Sequence, residues 1–146
     1  MNNLSDFYQL VKDFCTNHNM INEFLFLGSE DDLQNREFDY RSVIMIPSNS
    51  NVSRDLARPI YTLSFSCAIL DKCINSDELA LVQSTEENLF VVGQLQDYLI
   101  QQDENCYIDD VDVMNMASED DNITSAMFDI TISFARKNYN LGIDNA

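Results

Sequence analysis

Between Tyr61 and Ile69 the chain reads YTLSFSCAI, and apolar and small polar residues alternate at every step. Tyr61, Leu63, Phe65, Cys67 and Ile69 fall on one side of an extended backbone; Thr62, Ser64, Ser66 and Ala68 fall on the other. A period of two over this length specifies a strand with one apolar face. The pattern returns in TSAMFDITISFARK, residues 124–137, where Ala126, Phe128, Ile130, Ile132 and Phe134 alternate with Met127, Asp129, Thr131 and Ser133. A chain with two such strands must cover one face of a sheet, and its helices are the available cover.

Two segments carry helical spacing. In the first, Leu4, Phe7, Tyr8, Val11, Phe14 and Cys15 make one apolar stripe, with Asn3 as N-cap and Asp6 in the first turn; Asn17, His18 and Asn19 end it. In the second, Ser84-Thr85-Glu86-Glu87 reads as a capping box that starts the helix. Leu89, Val92, Leu95 or Gln96, and Leu99 then form the expected buried face, broadened by Phe90, Val91 and Tyr98, and Gly93 is expected to allow close packing on the sheet. NSDELALV, just before, reads as a short helical turn.

Three further strands are expected: INEFLFL at 21–27, stopped by Gly28; SVIMI at 42–46, closed by Pro47; and CYIDDVDVMNM from Cys106. Residues 29–41 and 48–58 read as polar loops and ASEDDN as an acidic turn. The expectation is an α+β fold in the order α-β-β-β-α-β-β, a mostly antiparallel sheet with two helices packed on one face. A single domain spans 1–136, and 137–146 forms a C-terminal tail or arm. The polar strand faces, rich in Ser and Thr, are either wet or a place for a neighbour.

The charge narrows function. With 25 acidic and 8 basic residues the 146-residue chain carries a net −17, and no Lys/Arg cluster interrupts it. Such a surface repels phosphate, so sequence-nonspecific nucleic-acid binding is not expected. Hydrophobic residues make up 45% and aromatics 10%, which argues against disorder in spite of the charge. No apolar run approaches the roughly 20 residues of a membrane span, and MNNLSDFYQLVKDF lacks the basic start and apolar run of a signal peptide. A cytosolic chain with reduced cysteines is expected.

Site chemistry is sparse. Cys15, Cys67, Cys73 and Cys106 contain no C-x-x-C and fit no zinc spacing. Cys67 lies on the apolar face of its strand, where a free thiol packs like a small hydrophobe, and Cys73 is expected on a different element. His18, the one histidine, reads as a helix-end residue facing the negative pole of the dipole. From Asp110, an EF-hand loop fails at Met114 and Asn115, its fifth and sixth positions, and Glu119, Asp120 and Asp121 read as a solvated turn. Glycines occur only at 28, 93 and 142, so no phosphate-cradling loop exists. No catalytic, cofactor-binding or metal residues are assigned, and the chain is not expected to be an enzyme.

The order of elements carries one more signal. YTLSFSCAILDKCINSDELALVQSTEENLFVVGQLQDYLI is an amphipathic strand ending in Asp, a short polar loop and a capped helix; FCTNHNMINEFLFLGSEDDL places a helix end before His18, Ile21, Phe24, Gly28 and an acidic segment. With FDYRSVIMIPSN and MFDITISFARK, this run resembles the tail-terminator-like ring proteins of tailed phages, most of all the neck and tail ring proteins of crAss-like phages. The resemblance covers roughly residues 4 to 136. It departs from the pattern at Arg41, where proline is usual, and at NITSAMFD, where a glycine often precedes the last strand.

The resemblance implies a virion structural protein, made in the host cytoplasm. Copies close a six- or twelve-fold ring at the head-to-tail connector or tail. Adjacent portal, neck or tail ring proteins are the implied partners, and genomic DNA passes through the bore without specific binding. No membrane and no catalysis are implied. On this reading Arg36, Arg41, Arg54 and Arg58 are free to pair with acids on a neighbouring subunit, and SEDDLQ and SEDDN project from the ring. The alternative is a small acidic non-enzymatic binding or adaptor domain, or a DNA mimic. A carboxylate-based hydrolase is disfavoured by the lack of a histidine near the acids.

Overall fold

Asn3 Oδ1 accepts the backbone N–H of Asp6 at 2.8 Å, and helix α1 (Leu4–Asn17) starts there. Of its apolar stripe, Phe7, Val11 and Cys15 are buried, while Tyr8 and Phe14 lie half-buried at the margins. The computed structural model describes residues 3–34, 36–52, 60–74, 77–103, 105–117 and 121–135. The expected arm, 137–146, lies outside them, as do Arg54, Arg58 and the acids at 119 and 120.

Five strands follow: β1 (Glu23–Phe26), β2 (Ser42–Val52), β3 (Ile60–Ile74), β4 (Cys106–Ala117) and β5 (Asp121–Ala135). Helix α2 (Glu78–Gln102) intervenes between β3 and β4, so the order is the expected one. The sheet runs β1-β2-β3-β5-β4. Three of its pairings are antiparallel; β1 and β2 run parallel, so the sheet is mixed. A parallel pair needs a long crossover, and residues 27–41 supply it. That crossover contains a single 3-10 turn, Glu30–Leu33, within the segment expected to be loop.

The two alternating segments of the sequence sit side by side. β3 and β5 pair along their whole length, from Ile60 opposite Ala135 to Ile74 opposite Asp121. Phe65, Cys67 and Ile69 of β3, and Ala126, Phe128, Ile130 and Ile132 of β5, share one core cluster with Phe7 and Val11 of α1 and Val91, Leu95 and Leu99 of α2. Both helices therefore cover the same face. On the opposite face a smaller cluster forms from Leu27, Ile44, Ile46 and Leu70, with Leu33, Phe38 and Tyr40 of the crossover packed on it.

Several expectations are corrected. β2 does not stop at Pro47: it continues to Val52 through a register shift between Pro47 and Asn49, a bulge where proline's missing donor is tolerated. β3 runs past the expected end, so Cys67 and Cys73 share one strand. At about 3.4 Å per residue they are roughly 20 Å apart, far beyond disulfide reach.

Helix α2 begins at Asp77, whose Oδ1 accepts from the Leu79 N–H at 3.0 Å; Ser84 and Glu87 lie inside the helix and form no cap. Its buried face is Ser84, Asn88, Val91, Val92, Leu95 and Leu99, whereas Leu89 and Phe90 are exposed. Gly93 also faces solvent, and a methyl group added there would meet no atom within 4 Å. The expected close packing is absent. Gly93→Ala will therefore stabilise the fold by about 0.5–1 kcal/mol through helix propensity, read as a higher urea midpoint.

Candidate functional site

Over the Asp71 end of β3, the buried face of α2 turns polar. Ser84 and Asn88 are 4% and 1% exposed, and they continue the line of Val91, Val92, Leu95 and Leu99. They meet Asp71 of β3, Thr124 of β5 and Arg41, which precedes β2 and is 6% exposed. Arg41 Nε donates to Asn88 Oδ1 at 2.7 Å. Asn88 Nδ2 donates to Thr124 Oγ1 at 3.0 Å. The Thr124 and Ser84 hydroxyls are paired, and Ser84 Oγ donates to Asp71 Oδ2 at 2.7 Å. Arg41 Nη2 closes the circuit on the same Asp71 oxygen at 2.9 Å and also reaches Glu87 Oε2 at 2.7 Å.

Donor logic sets every direction in this cycle. A guanidinium cannot accept, so Asn88 presents its oxygen to Arg41 and its amide nitrogen to Thr124. Ser84 gives its proton to the carboxylate, so it accepts from Thr124. The cycle ties β3, β5 and the residue before β2 to α2, and Ser84 gives its proton to the Arg41-paired Asp71 with no histidine among its partners. Arg41 is consequently not available to a neighbouring subunit, which corrects the expectation for it. Burying a guanidinium requires paired acceptors close by, and the chain supplies two carboxylates and an amide. Arg36 remains exposed, with Nε donating to the Asp32 carbonyl at 3.4 Å.

The sequence carried a sign of this cycle. Ser84 and Asn88 stand at i, i+4 in phase with the apolar stripe, and polar residues on that line mark buried hydrogen bonding.

His18 caps α1 and bridges to α2. Its Nδ1 accepts from the Met20 N–H at 3.1 Å, so the proton is on Nε2, which donates to Gln94 Oε1. Among the described residues no group of three or more His, Cys, Asp or Glu side chains is arranged to hold a metal ion. A cavity of about 200 Å³ lies beside Cys15, Ile21 and Phe24, below the 300 Å³ or so at which small-molecule sites begin.

All four cysteines are free and buried. Burial pushes the Cys15 and Cys106 thiols from 9.0 up to about 12, and it raises Cys67 as well, with the Asp129 carboxylate adding to the effect. A thiol raised in the folded state contributes stability below its unfolded pKa and loses it as pH rises through the folded value. Stability will thus fall between pH 9 and pH 12, by about 1.4 kcal/mol per pH unit for each such thiol. Denaturant titrations across that range, compared with a Cys15→Ala, Cys106→Ala chain, check it; an unchanged slope in the substituted chain would be the contrary result.

The second feature is the sheet face turned away from the helices. Beyond the crossover's small cluster it is lined by hydroxyls in cross-strand pairs: Thr62 with Ser133 at 3.0 Å and Ser64 with Thr131 at 3.2 Å. Next to these, Asp109 of β4 stands directly opposite Asp129 of β5, and Asp112 opposite Met127. Tyr107, Met114 and Met127 are exposed on the same face. Like charges in direct cross-strand register are unfavourable.

No protein-family model matches the chain, and no curated protein is similar to it at the level that marks a relative.

Proposed function

We propose that this chain is a non-enzymatic structural subunit of a phage virion, a tail-terminator-like protein whose copies close a ring at the head-to-tail connector or tail. The observation that carries the reading is the helix-free sheet face, where hydroxyl pairs, exposed methionines and carboxylates lie side by side. Such a face suits contact with a protein surface better than it suits a small substrate. A closing ring needs a heterologous contact, and the open sheet face and the helix-covered face are two unlike surfaces.

In the ring, adjacent portal, neck or tail ring proteins lie above and below, and DNA passes through the bore without specific binding. A net charge of −17 per chain disfavours adhesion of phosphate to the wall. Repulsion between subunits is screened beyond roughly 8 Å at physiological salt. The exposed Glu30 and Asp31 then point to the bore or rim. Class averages of the purified particle test the reading: this polypeptide will appear as a six- or twelve-fold ring at the neck or tail. Its absence from particles, or its presence as an isolated copy, would overturn the proposal. The second reading, a small acidic binding domain or DNA mimic, is favoured by Asp109, Asp112 and Asp129 sharing one face, and predicts a stable complex with a basic partner in place of a ring.

A further inference from the structure

The side of α2 turned away from the sheet is not the polar face expected of a surface helix. Opposite the buried line of Asn88, Val91, Leu95 and Leu99 stand Leu79, Val82, Phe90 and Ile100, which are 63%, 62%, 57% and 45% exposed. Leu89 lies at the margin of this stripe and is also exposed. From Leu79 to Ile100 the stripe is about 32 Å long. Single apolar residues on a surface are ordinary, but several in helical phase mark a contact. Gly93 falls in the same stripe. A glycine inside a helix costs stability, and nothing in the subunit uses its missing side chain, since an added methyl group would meet no atom within 4 Å. Its neighbours three and four residues away are Leu89, Phe90, Gln96 and Asp97, so it forms the floor of a notch that a large side chain from a second helix can enter.

Charge selects the kind of helix. α2 has no Lys, Arg or His in its 25 residues. Glu86 and Asp97 interrupt the stripe on either side of the notch, about three turns apart, and both are exposed. Neither has an ion-pair partner among the described residues. The same helix of a second copy would set carboxylates against carboxylates with no cation between them, which is unfavourable. A helix that brings positive charge to these two positions meets both demands of the surface, the apolar one and the electrostatic one.

We propose that the outer face of α2 is the docking surface for an amphipathic helix of a different protein, one that carries Lys or Arg at two positions about three turns apart with a large apolar side chain between them. The apolar side chain fills the notch at Gly93, and the two cations pair with Glu86 and Asp97 and set the register. The inference goes beyond the ring reading and does not rest on it.

The test uses the full-length chain and three labelled helical peptides of the length of α2. The first has a leucine stripe broken by two lysines eleven residues apart. The second has glutamates at those two positions. The third keeps the net charge of the first but moves both lysines to the side away from the leucines. Fluorescence anisotropy at physiological salt reads binding. The first peptide is expected to bind at least tenfold more tightly than either of the others, and the third shows that the preference is not mere attraction to an acidic protein. Gly93→Met, a good helix former with free space around it, will keep the fold and weaken binding at least fivefold, as will Phe90→Glu. Glu86→Lys with Asp97→Lys will invert the preference, so that the glutamate peptide binds best. Equal affinities for the first and third peptides, no binding of the first, or affinities untouched by Gly93→Met and Phe90→Glu would each overturn the proposal. Native mass is read on the same chains. An assembly that Phe90→Glu breaks into monomers also overturns it, because a second copy then covers the stripe, and leaves the ring reading standing. Charge-selective binding to a chain whose assembly Phe90→Glu leaves intact supports both.

Discussion

Arg41→Ala will lower the stability of the fold by about 3–5 kcal/mol, the range for removing one partner of a buried ion pair. The loss does not come mainly from Glu87, which is 50% exposed and regains water when the guanidinium goes. It comes from Asp71 and Asn88. Asp71 is 21% exposed and keeps only the Ser84 hydroxyl as a neutral donor, while Asn88 Oδ1 is left buried and empty. Against a total stability of about 5–15 kcal/mol for a domain this is a large fraction. Arg41→Lys will recover only part of it, because an ammonium lacks the planar fork that serves Asn88 and both carboxylates at once. Urea denaturation monitored by circular dichroism reads both variants. A loss below about 1 kcal/mol for the alanine variant would mean that water replaces the guanidinium freely and that the cycle does not hold α2 to the sheet.

Phe65→Ala comes next, at about 3–5 kcal/mol. Phe65 is 1% exposed and lies at the centre of β3. Its ring stacks on Phe7 of α1 with centroids 5.2 Å apart and meets Phe26 of β1 edge-on at 5.9 Å. The substitution empties the place where the first helix, the short parallel strand and the central strand converge. The α1–β1 region will loosen before the β3–β5 pair, which keeps its full ladder. Phe90→Ala is the control: Phe90 is equally apolar but 57% exposed on α2, and its loss will fall within about 0.5 kcal/mol of zero. Thermal unfolding of the two variants separates them. Equal shifts would show that the exposed ring has a partner in solution.

These two sites differ in how far the sequence announced them. Phe65 sits in the alternating run of β3, and period-two patterning placed it in the core directly. In the sequence Arg41 reads as a residue in or beside a loop, available to another subunit, because its partners lie 30, 46 and 47 residues away in the chain and leave no local mark. No local rule links such positions. Ser84 through Glu87 carried a local pattern, a hydroxyl followed three residues later by a carboxylate, that fits a helix start and was put to a different use inside a longer helix. The same helix shows the second kind of miss. Leu89 and Phe90 are apolar, and hydrophobicity alone assigned them to the buried face, but burial follows the stripe that faces the sheet, and that stripe begins with Ser84 and Asn88.

Local pattern was sufficient wherever a residue's neighbours along the chain share its fate. The α1 cap at Asn3, the faces of β3 and β5, the burial of Cys67 and the order of elements all follow from spacings of two or 3.6 residues, which the backbone geometry itself imposes. Tertiary structure alone decided the parallel pairing of β1, the passage of β2 through Pro47, the start of α2 at Asp77 and the closed hydrogen-bond cycle around Arg41. Each of these depends on which distant segment is adjacent, and adjacency is a property of the packed sheet that a run of neighbouring residues does not encode.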